Sequence, residues 1–491
     1  LSVMVMGTGA ASFTDQDEFS DNYAEAAEVL TGMGIIQGYD DGSFLPQRNI
    51  NRAQVATMIY RAATGDVTDS KISQFVGEDL FDDVNADDWF AGYVNYCGNA
   101  EYIKGFTPDT FGPYKQVTGY QVLAMILRAV GYDENDEYTG DQWTLRVAAT
   151  AREQGLLDNL NPDTNLAEPA TRELVAQLIF EAIQIDTVRY SPAAGAYRPS
   201  TTPASSLGEQ VFDLAVVNDN DVWGRPATIW YAESSTYWNG AVKNDGYQSD
   251  KDDLYATIEE EALATYTTAV KICDVADDLG IAEETFTTYT NGEVNDGTVK
   301  IDADATTATI GAQGRLTEVY EDTIVYIDTF LARVDKVTEV KYDADGHVAK
   351  DASLTLGVYA NNGTNHNDAQ SVTLTDDTNY TYAEGDMLLV NAVTDGADWH
   401  DAIATDGDKH VEFVGAAESF VGAQTYIQWN DNQHTVDGDV YNDALHFHLD
   451  AAGLNGDINY NWYLDQYDNL IGVTAIDRTN YAVLKDMTWT S

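Results

Sequence analysis

Cysteine is nearly absent: the 491 residues contain only Cys97 and Cys273. The two lie far apart, which excludes a disulfide-stapled scaffold and favours two buried free thiols over one long-range bridge. Basic residues are scarce as well. Against 82 Asp and Glu stand 25 Lys and Arg, a formal net charge of −57. A field of that sign repels nucleic acid and anionic lipid, so neither is expected as a partner. After residue 11 no apolar run reaches the ~18 residues that argue for a membrane-spanning helix, and no membrane insertion is expected. No P-loop, Gly-x-Ser-x-Gly, His-Glu-x-x-His or Cys-x-x-Cys string occurs. Those nucleotide, hydrolase, zinc-protease and thiol-redox signatures are therefore missing. Carboxylate pairs of the kind used in glycoside hydrolysis arise by chance among so many acids, and spacing singles none out.

Metal-ligand patterns are equally thin. All seven histidines fall between His347 and His448. His446 and His448 share one face of an expected strand, but with no third ligand ordinary strand polarity is the preferred reading. Asp343 and Asp345 ahead of Gly346 form half of a calcium loop without the closing Glu, and a plain turn competes with that reading. The acidic surface has two explanations: simple solvation, or carboxylate pairs that bind Ca²⁺. What is abundant is core material. Hydrophobic residues make up 44% and aromatics 11%, enough for several packed domains and unlike a disordered acidic chain.

Three degenerate copies of one segment fill the first 184 residues. The first runs Ile35-Ile36-Gln37-Gly38-Tyr39-Asp40-Asp41-Gly42-Ser43-Phe44-Leu45-Pro46 and continues to Ile50-Asn51-Arg52-Ala53-Gln54. The second runs Ile103-Lys104-Gly105-Phe106-Thr107-Pro108-Asp109-Thr110-Phe111-Gly112-Pro113, then Val117-Thr118-Gly119-Tyr120-Gln121. The third is looser, Gly155-Leu156-Leu157 through Asn161-Pro162-Asp163-Thr164-Asn165-Leu166 to Ala170-Thr171-Arg172-Glu173-Leu174. Each copy reads as helix, loop, helix. Ala26, Val29, Leu30 and Met33 recur at helical spacing, with Gly34 where a C-terminal cap belongs. The loop carries one aromatic for burial, Phe44 or Phe111, replaced by Leu166 in the third copy. Asn51, Thr118 and Thr171 occupy N-cap positions ahead of the second helix. No such unit covers its own apolar face, so three are expected to pack around a shared axis.

In these residues the chain resembles the S-layer homology (SLH) family of bacterial cell-surface anchors, over roughly residues 13–184. The resemblance implies a pseudo-threefold helical bundle whose grooves hold an anionic secondary cell-wall polysaccharide. It maps the groove arginine onto Arg52 and Arg172, the helix-leading tryptophan onto Trp89 and Trp143, and the loop hydroxyl onto Ser43 and Thr110. Gly119 replaces the arginine in the second repeat, and Asn22 stands where the first repeat's tryptophan belongs. The chemistry fits independently: a guanidinium fork at a helix N-terminus, with free backbone N–H groups beside it, suits a carboxylate-bearing sugar. The competing reading makes the arginines surface residues and the tryptophans core.

The expected organisation is a signal-peptide remnant at 1–11, repeats at 12–66, 80–133 and 141–184, a linker at 185–208, and β-rich domains at 209–345 and 346–491. Beyond the linker, short alternating segments such as Thr323–Ile327, Met387–Val393 and the pair Tyr460–Leu464 with Leu470–Val473 predict antiparallel barrels or sandwiches. One helix is expected at Thr267–Leu279. Gly314–Val319 and Tyr463–Gly472 resemble strands of S-layer-like surface proteins from Gram-positive bacteria. The fold class is thus multidomain, an α-helical SLH bundle followed by antiparallel all-β domains. Two function classes follow. One is a non-enzymatic, secreted structural protein that grips wall polysaccharide, with β domains assembling with copies of the chain into a layer or filament in the presence of Ca²⁺. The other is an adhesin or glycan-active enzyme displayed by the same anchor.

Overall fold

The computed structural model describes residues 13–476 apart from 21–22, 40, 78–79, 233–253, 343–347, 360–368, 377, 397–402, 405–409, 429–432, 448–453 and 455–457. The signal remnant at 1–11, Asn22, Asp343, Asp345 and His448 lie outside the described residues. The chain divides into two compact units. Of the described residues, one takes in those up to Asp219 together with those of Ala227–Ile258, the other those of Asn220–Pro226 and from Glu259 onward. A helical region is followed by β sheets.

Local chemistry starts the helices where expected. α1 (Ala24–Gly32), α2 (Arg52–Thr64), α3 (Ala91–Asn99), α4 (Gly119–Ala129), α5 (Trp143–Glu153) and α6 (Arg172–Ile183) come in order. Asn51 and Thr118 cap α2 and α4 in reciprocal boxes with Gln54 and Gln121, and the Thr171 hydroxyl accepts from Leu174 N at the start of α6. Each cap satisfies an otherwise orphaned helix N–H, worth about 1 kcal/mol. Just beyond α1, Gly34 turns the chain at φ +73°, and a Cβ there would sit 2.9 Å from the Val67 side chain. Side chains at helical spacing (Val29 and Leu30 on α1, Val55 and Ile59 on α2, Val122 and Ile126 on α4) are all buried in one continuous core with Phe44 and Phe111.

The expected linker carries an antiparallel hairpin, Val188–Ser191 with Ala196–Pro199. It ends at α7 (Leu207–Phe212), capped by Ser206. Strands Leu214–Asn220, Pro226–Ala232 and Leu254–Glu259 then form a three-stranded sheet.

Among the described residues, three five-stranded sheets and two small two-stranded ones make up the second unit. The first runs Ala264–Tyr266, Leu316–Val319, Thr323–Ile327, Glu283–Thr290, Glu293–Asp302. It departs from a purely antiparallel expectation, because Thr323–Ile327 lies parallel to Glu283–Thr290. α8 (Ile272–Leu279) begins later than expected, since Val270 and Lys271 are taken by a strand pairing with Thr309 and Ile310. The second sheet places Thr329–Thr338 between Ala352–Tyr359 and Met387–Ala392, with Gln370–Asp376 and Val411–Ala416 at its edges. The expected boundary between 345 and 346 falls inside it. In the third, the hairpin Asn459–Leu464 with Leu470–Ala475 pairs antiparallel. His446 is not on a strand: it sits in a turn, its ring 4.6 Å from Phe330 and its Nε2 2.9 Å from the buried Asp328 carboxylate. Cys97 is buried, Cys273 half-buried, and both are free.

Candidate functional site

Three backbone hydrogen bonds close a ring through the three repeats. Ile50 N donates to Ala170 O (3.1 Å), Ala170 N to Val117 O (2.8 Å) and Val117 N to Ile50 O (3.4 Å). Each of these residues lies just before an N-cap, so the ring sets the start of α2, α4 and α6 against the loop of another repeat. Arg52 N and Ala53 N donate to Lys115 O and Pro113 O, both at 3.0 Å. Arg172 N and Glu173 N donate to Arg48 O (2.9 Å) and Pro46 O (3.1 Å). Tyr120 N donates to Leu166 O at 3.1 Å. The helix-start N–H groups expected to face a ligand are therefore spent on neighbouring loops.

The arginines thread into the same loops in matching ways. Arg52 Nε donates to Phe111 O at 2.9 Å and Nη2 to Lys104 O at 2.8 Å, with its guanidinium 4.6 Å from the Phe111 centroid. Arg172 Nε donates to Phe44 O at 2.8 Å and Nη2 to Gln37 O at 2.6 Å, with its guanidinium 4.5 Å from Phe44 and 5.1 Å from Tyr39. A carboxylate pins each loop from behind. Asp83 accepts from Phe111 N and Gly112 N, and Asp15 from Phe44 N and Leu45 N, all within 2.7–2.8 Å.

Charge separates these two arginines from their neighbours. Arg61, which is buried, and Arg128, which is half-buried, pair with Asp69 and Asp133 at 2.6 and 2.7 Å. Arg52 and Arg172 are 4% and 7% exposed, and among the described residues neither has a carboxylate within ion-pair distance. Burial lowers the basicity of Arg52 to about 10 and shifts Arg172 the same way. A desolvated cation of this kind is stabilised when an anion arrives.

The remaining expected residues divide. Trp89 is 57% exposed and stands edge-on to Phe90 at 5.4 Å, so it is available to a ligand rather than part of the core. Trp143 opens α5 half-buried against the core. Ser43 is buried, its hydroxyl donating to Asp41 at 2.7 Å, and the Thr110 hydroxyl lies 2.6 Å from that of Thr107. Both shape their loops. Gly119 is packed against the third repeat's loop: a Cβ on that buried glycine would meet Leu166 Cδ2 at 2.7 Å. Sequence reasoning missed Tyr39, Arg48, Phe106, Lys115, Asp15 and Asp83. A readable signal existed for the pinning acids, which precede their loop aromatics by 29 and 28 residues.

In the β unit, Arg225 is 2% exposed and gathers Asp221, Glu259 and Glu318 at 3.5, 3.4 and 2.7 Å. A cleft of about 850 Å³ is lined by Glu293, Asn295, Asp296, Arg315 and Tyr326 among others. Among the described residues no three His, Cys, Asp or Glu side chains come together to hold a metal ion. None of the described helices is long and apolar enough to cross a membrane.

The S-layer homology domain family matches residues 12–56 and 80–122. The chain is 28% identical to a middle cell wall protein of Brevibacillus brevis over 37% of its length and 16% of the relative's. It is 35% identical to a surface layer protein of Brevibacillus choshinensis over 27% of its length and 12% of the relative's. An amylopullulanase of Thermoanaerobacterium thermosulfurigenes is 26% identical over 34% of the chain and 9% of the enzyme. The chain thus spans less than a fifth of the length of each of these relatives. With the matched residues lying in the helical repeats, this is a secreted cell-surface protein that carries S-layer homology domains.

Proposed function

We propose that residues 12–184 form a pseudo-threefold bundle that anchors the chain to an acidic secondary cell-wall polysaccharide, with Arg52 and Arg172 as the cations that receive its carboxylates. The observation that carries this reading is the pair of buried guanidiniums at equivalent repeat positions, each on another repeat's aromatic and without a carboxylate partner among the described residues. Exposed Trp89 supplies a ring for a sugar face. The hydrogen-bond ring through Ile50, Val117 and Ala170 supports the threefold arrangement. The β region then acts structurally, packing with copies of itself into a layer or filament.

Co-sedimentation of the full chain with wall polysaccharide tests the anchor. The Arg52→Ala, Arg172→Ala double variant is expected to lose binding, at about ten- to a hundredfold per charge-assisted contact. Carboxyl-reduced polymer should bind neither protein. Undiminished binding by a double variant whose fold is verified by peptide-level hydrogen exchange removes the assignment.

The charge of −57 makes divalent cations, Ca²⁺ above all, the simplest means of bringing β regions together, since screening by monovalent salt leaves contacts inside ~8 Å repulsive. Chelation should loosen the assembly seen by electron microscopy, and monovalent salt at matched ionic strength should not restore it. A lattice that survives exhaustive chelation excludes the cation. A second reading, a displayed glycan-active protein, is favoured by the cleft beside Arg315 and Tyr326 and by the similarity to an amylopullulanase. Glycan cleavage by monodisperse protein would select it.

A further inference from the structure

Four residues before the residue that opens its second helix, the first repeat carries Arg48 and the second Lys115; the third carries Glu168. Arg48 and Lys115 are exposed, and in a chain with 82 acids an exposed base readily finds a carboxylate. Lys104 does so, with Asp133 and Asp136. Arg48 and Lys115 instead lie on aromatic rings at matching places in their own loops. The Arg48 guanidinium is 5.9 Å from the Tyr39 centroid, and Lys115 Nζ is 3.8 Å from that of Phe106. Tyr39 and Phe106 each follow the loop glycine, Gly38 or Gly105.

Tyr39 also carries Arg172, at 5.1 Å, and its hydroxyl accepts from Arg48 Nη1 at 3.4 Å. Two guanidiniums therefore share one ring. Like charges at this range repel, and an oxyanion between them relieves the repulsion. Burial first and Arg48 in addition depress the basicity of Arg172. In the second loop Arg52 reaches Lys104 O, two residues from Phe106, while Lys115 covers Phe106. Contact with the ring face also restricts a long basic side chain before any anion arrives, which lowers the entropic cost of closing on one. The third position lacks these elements: Gly119 has no side chain, Leu166 packs against it in place of an aromatic, and Glu168 is negative.

We propose that Arg48 and Lys115 are the outer cationic arms of two anion sites, closing on carboxylates of the wall polymer opposite Arg172 and Arg52, and that the third position takes no anion. This rests on the wall-polysaccharide reading above. Titration calorimetry of the full chain with fragments of wall polysaccharide from the producing cells tests it. The natural chain should show two sites. Arg48→Gln and Lys115→Gln should each weaken one of them about tenfold, with circular dichroism unchanged, and Arg48→Lys should restore most of the loss. Arg152→Gln removes one positive charge elsewhere on the helical unit and should stay within about twofold, separating a local arm from a general effect of net charge. Three equal sites in the natural chain, or undiminished affinity in the Arg48→Gln, Lys115→Gln double variant, overturns the arms and leaves the anchor standing. No binding by the natural chain overturns the wall-polymer reading and the arms with it.

Discussion

The helical unit buries its apolar residues in one core that runs from Phe13 to Ala256, whereas the β unit holds several smaller ones around Phe330, Phe286 and Trp462. The difference follows from the elements. A helix has one apolar stripe, so repeated helices merge their stripes into a common interior. A sheet with alternating side chains carries its own buried face, and each five-stranded sheet closes a local core. One buried carboxylate from each unit shows how the partners decide its charge. Asp66 of the helical unit accepts from Tyr60 Oη, Ser70 N, Ser70 Oγ and Lys71 N. Burial alone would push its carboxyl up, but these donors bring it down to about 2. Asp221 of the β unit shares one guanidinium with Glu259 and Glu318. Burial pushes Asp221 up, and the Arg225 cation offsets only part of that, so the cluster holds a proton where an isolated Asp would not.

Asp66→Ala should give the largest change, lowering the stability of the helical unit by about 2–4 kcal/mol through the stranded donors. Peptide-level hydrogen exchange would localise the loss, and a loss spread equally over both units would contradict the comparison. Gly119→Arg comes next. The new side chain meets Leu166 and should cost about 1–3 kcal/mol by overpacking without adding a third anion site, as denaturant unfolding and calorimetry can check. An added site would show that the groove is open after all.

The smallest effect concerns pH. Asp66 has a folded pKa below its unfolded value, so its stabilisation is present at neutral pH and is lost as pH falls through about 4 toward about 2. Asp221 has a folded pKa above its unfolded value, so its contribution is present at low pH and is lost as pH rises. The β unit of the natural chain should thus be more protected at about pH 5 than at about pH 9, and Asp221→Asn should flatten that slope by about 1 kcal/mol. A slope unchanged in Asp221→Asn would place the proton elsewhere.

Much of the helical region was legible from residues. The caps at Asn51, Thr118 and Thr171, the turn at Gly34 and the buried Phe44 and Phe111 are local properties of a few consecutive residues, and the structure has them as expected. Thr323–Ile327 and the hairpin from Asn459 to Ala475 were legible for the same reason: alternation and turn chemistry act over short distances. The helix expected at Thr267–Leu279 starts only at Ile272, because Val270 and Lys271 fit a helix by pattern and only their pairing with Thr309 and Ile310 makes them strand. Likewise Thr323–Ile327 reads the same whether its neighbour is parallel or antiparallel, and Glu283–Thr290 decides it.

By itself the sequence determined that repeats exist, where their helices start, that the chain is strongly acidic, and which arginines recur at equivalent positions. It did not say where those arginines go. Arg52 ends on carbonyls 59 and 52 residues away, and Arg172 on carbonyls 128 and 135 away. Only the closing of the repeats brings those groups together. The same closure uses up the helix-start N–H groups, packs Leu166 against Gly119, and sets Arg48 and Arg172 on one tyrosine. Hydrogen-bond and burial demands are met by whichever groups are near in space, and nearness across more than a hundred residues is a property of the packed chain rather than of any local pattern.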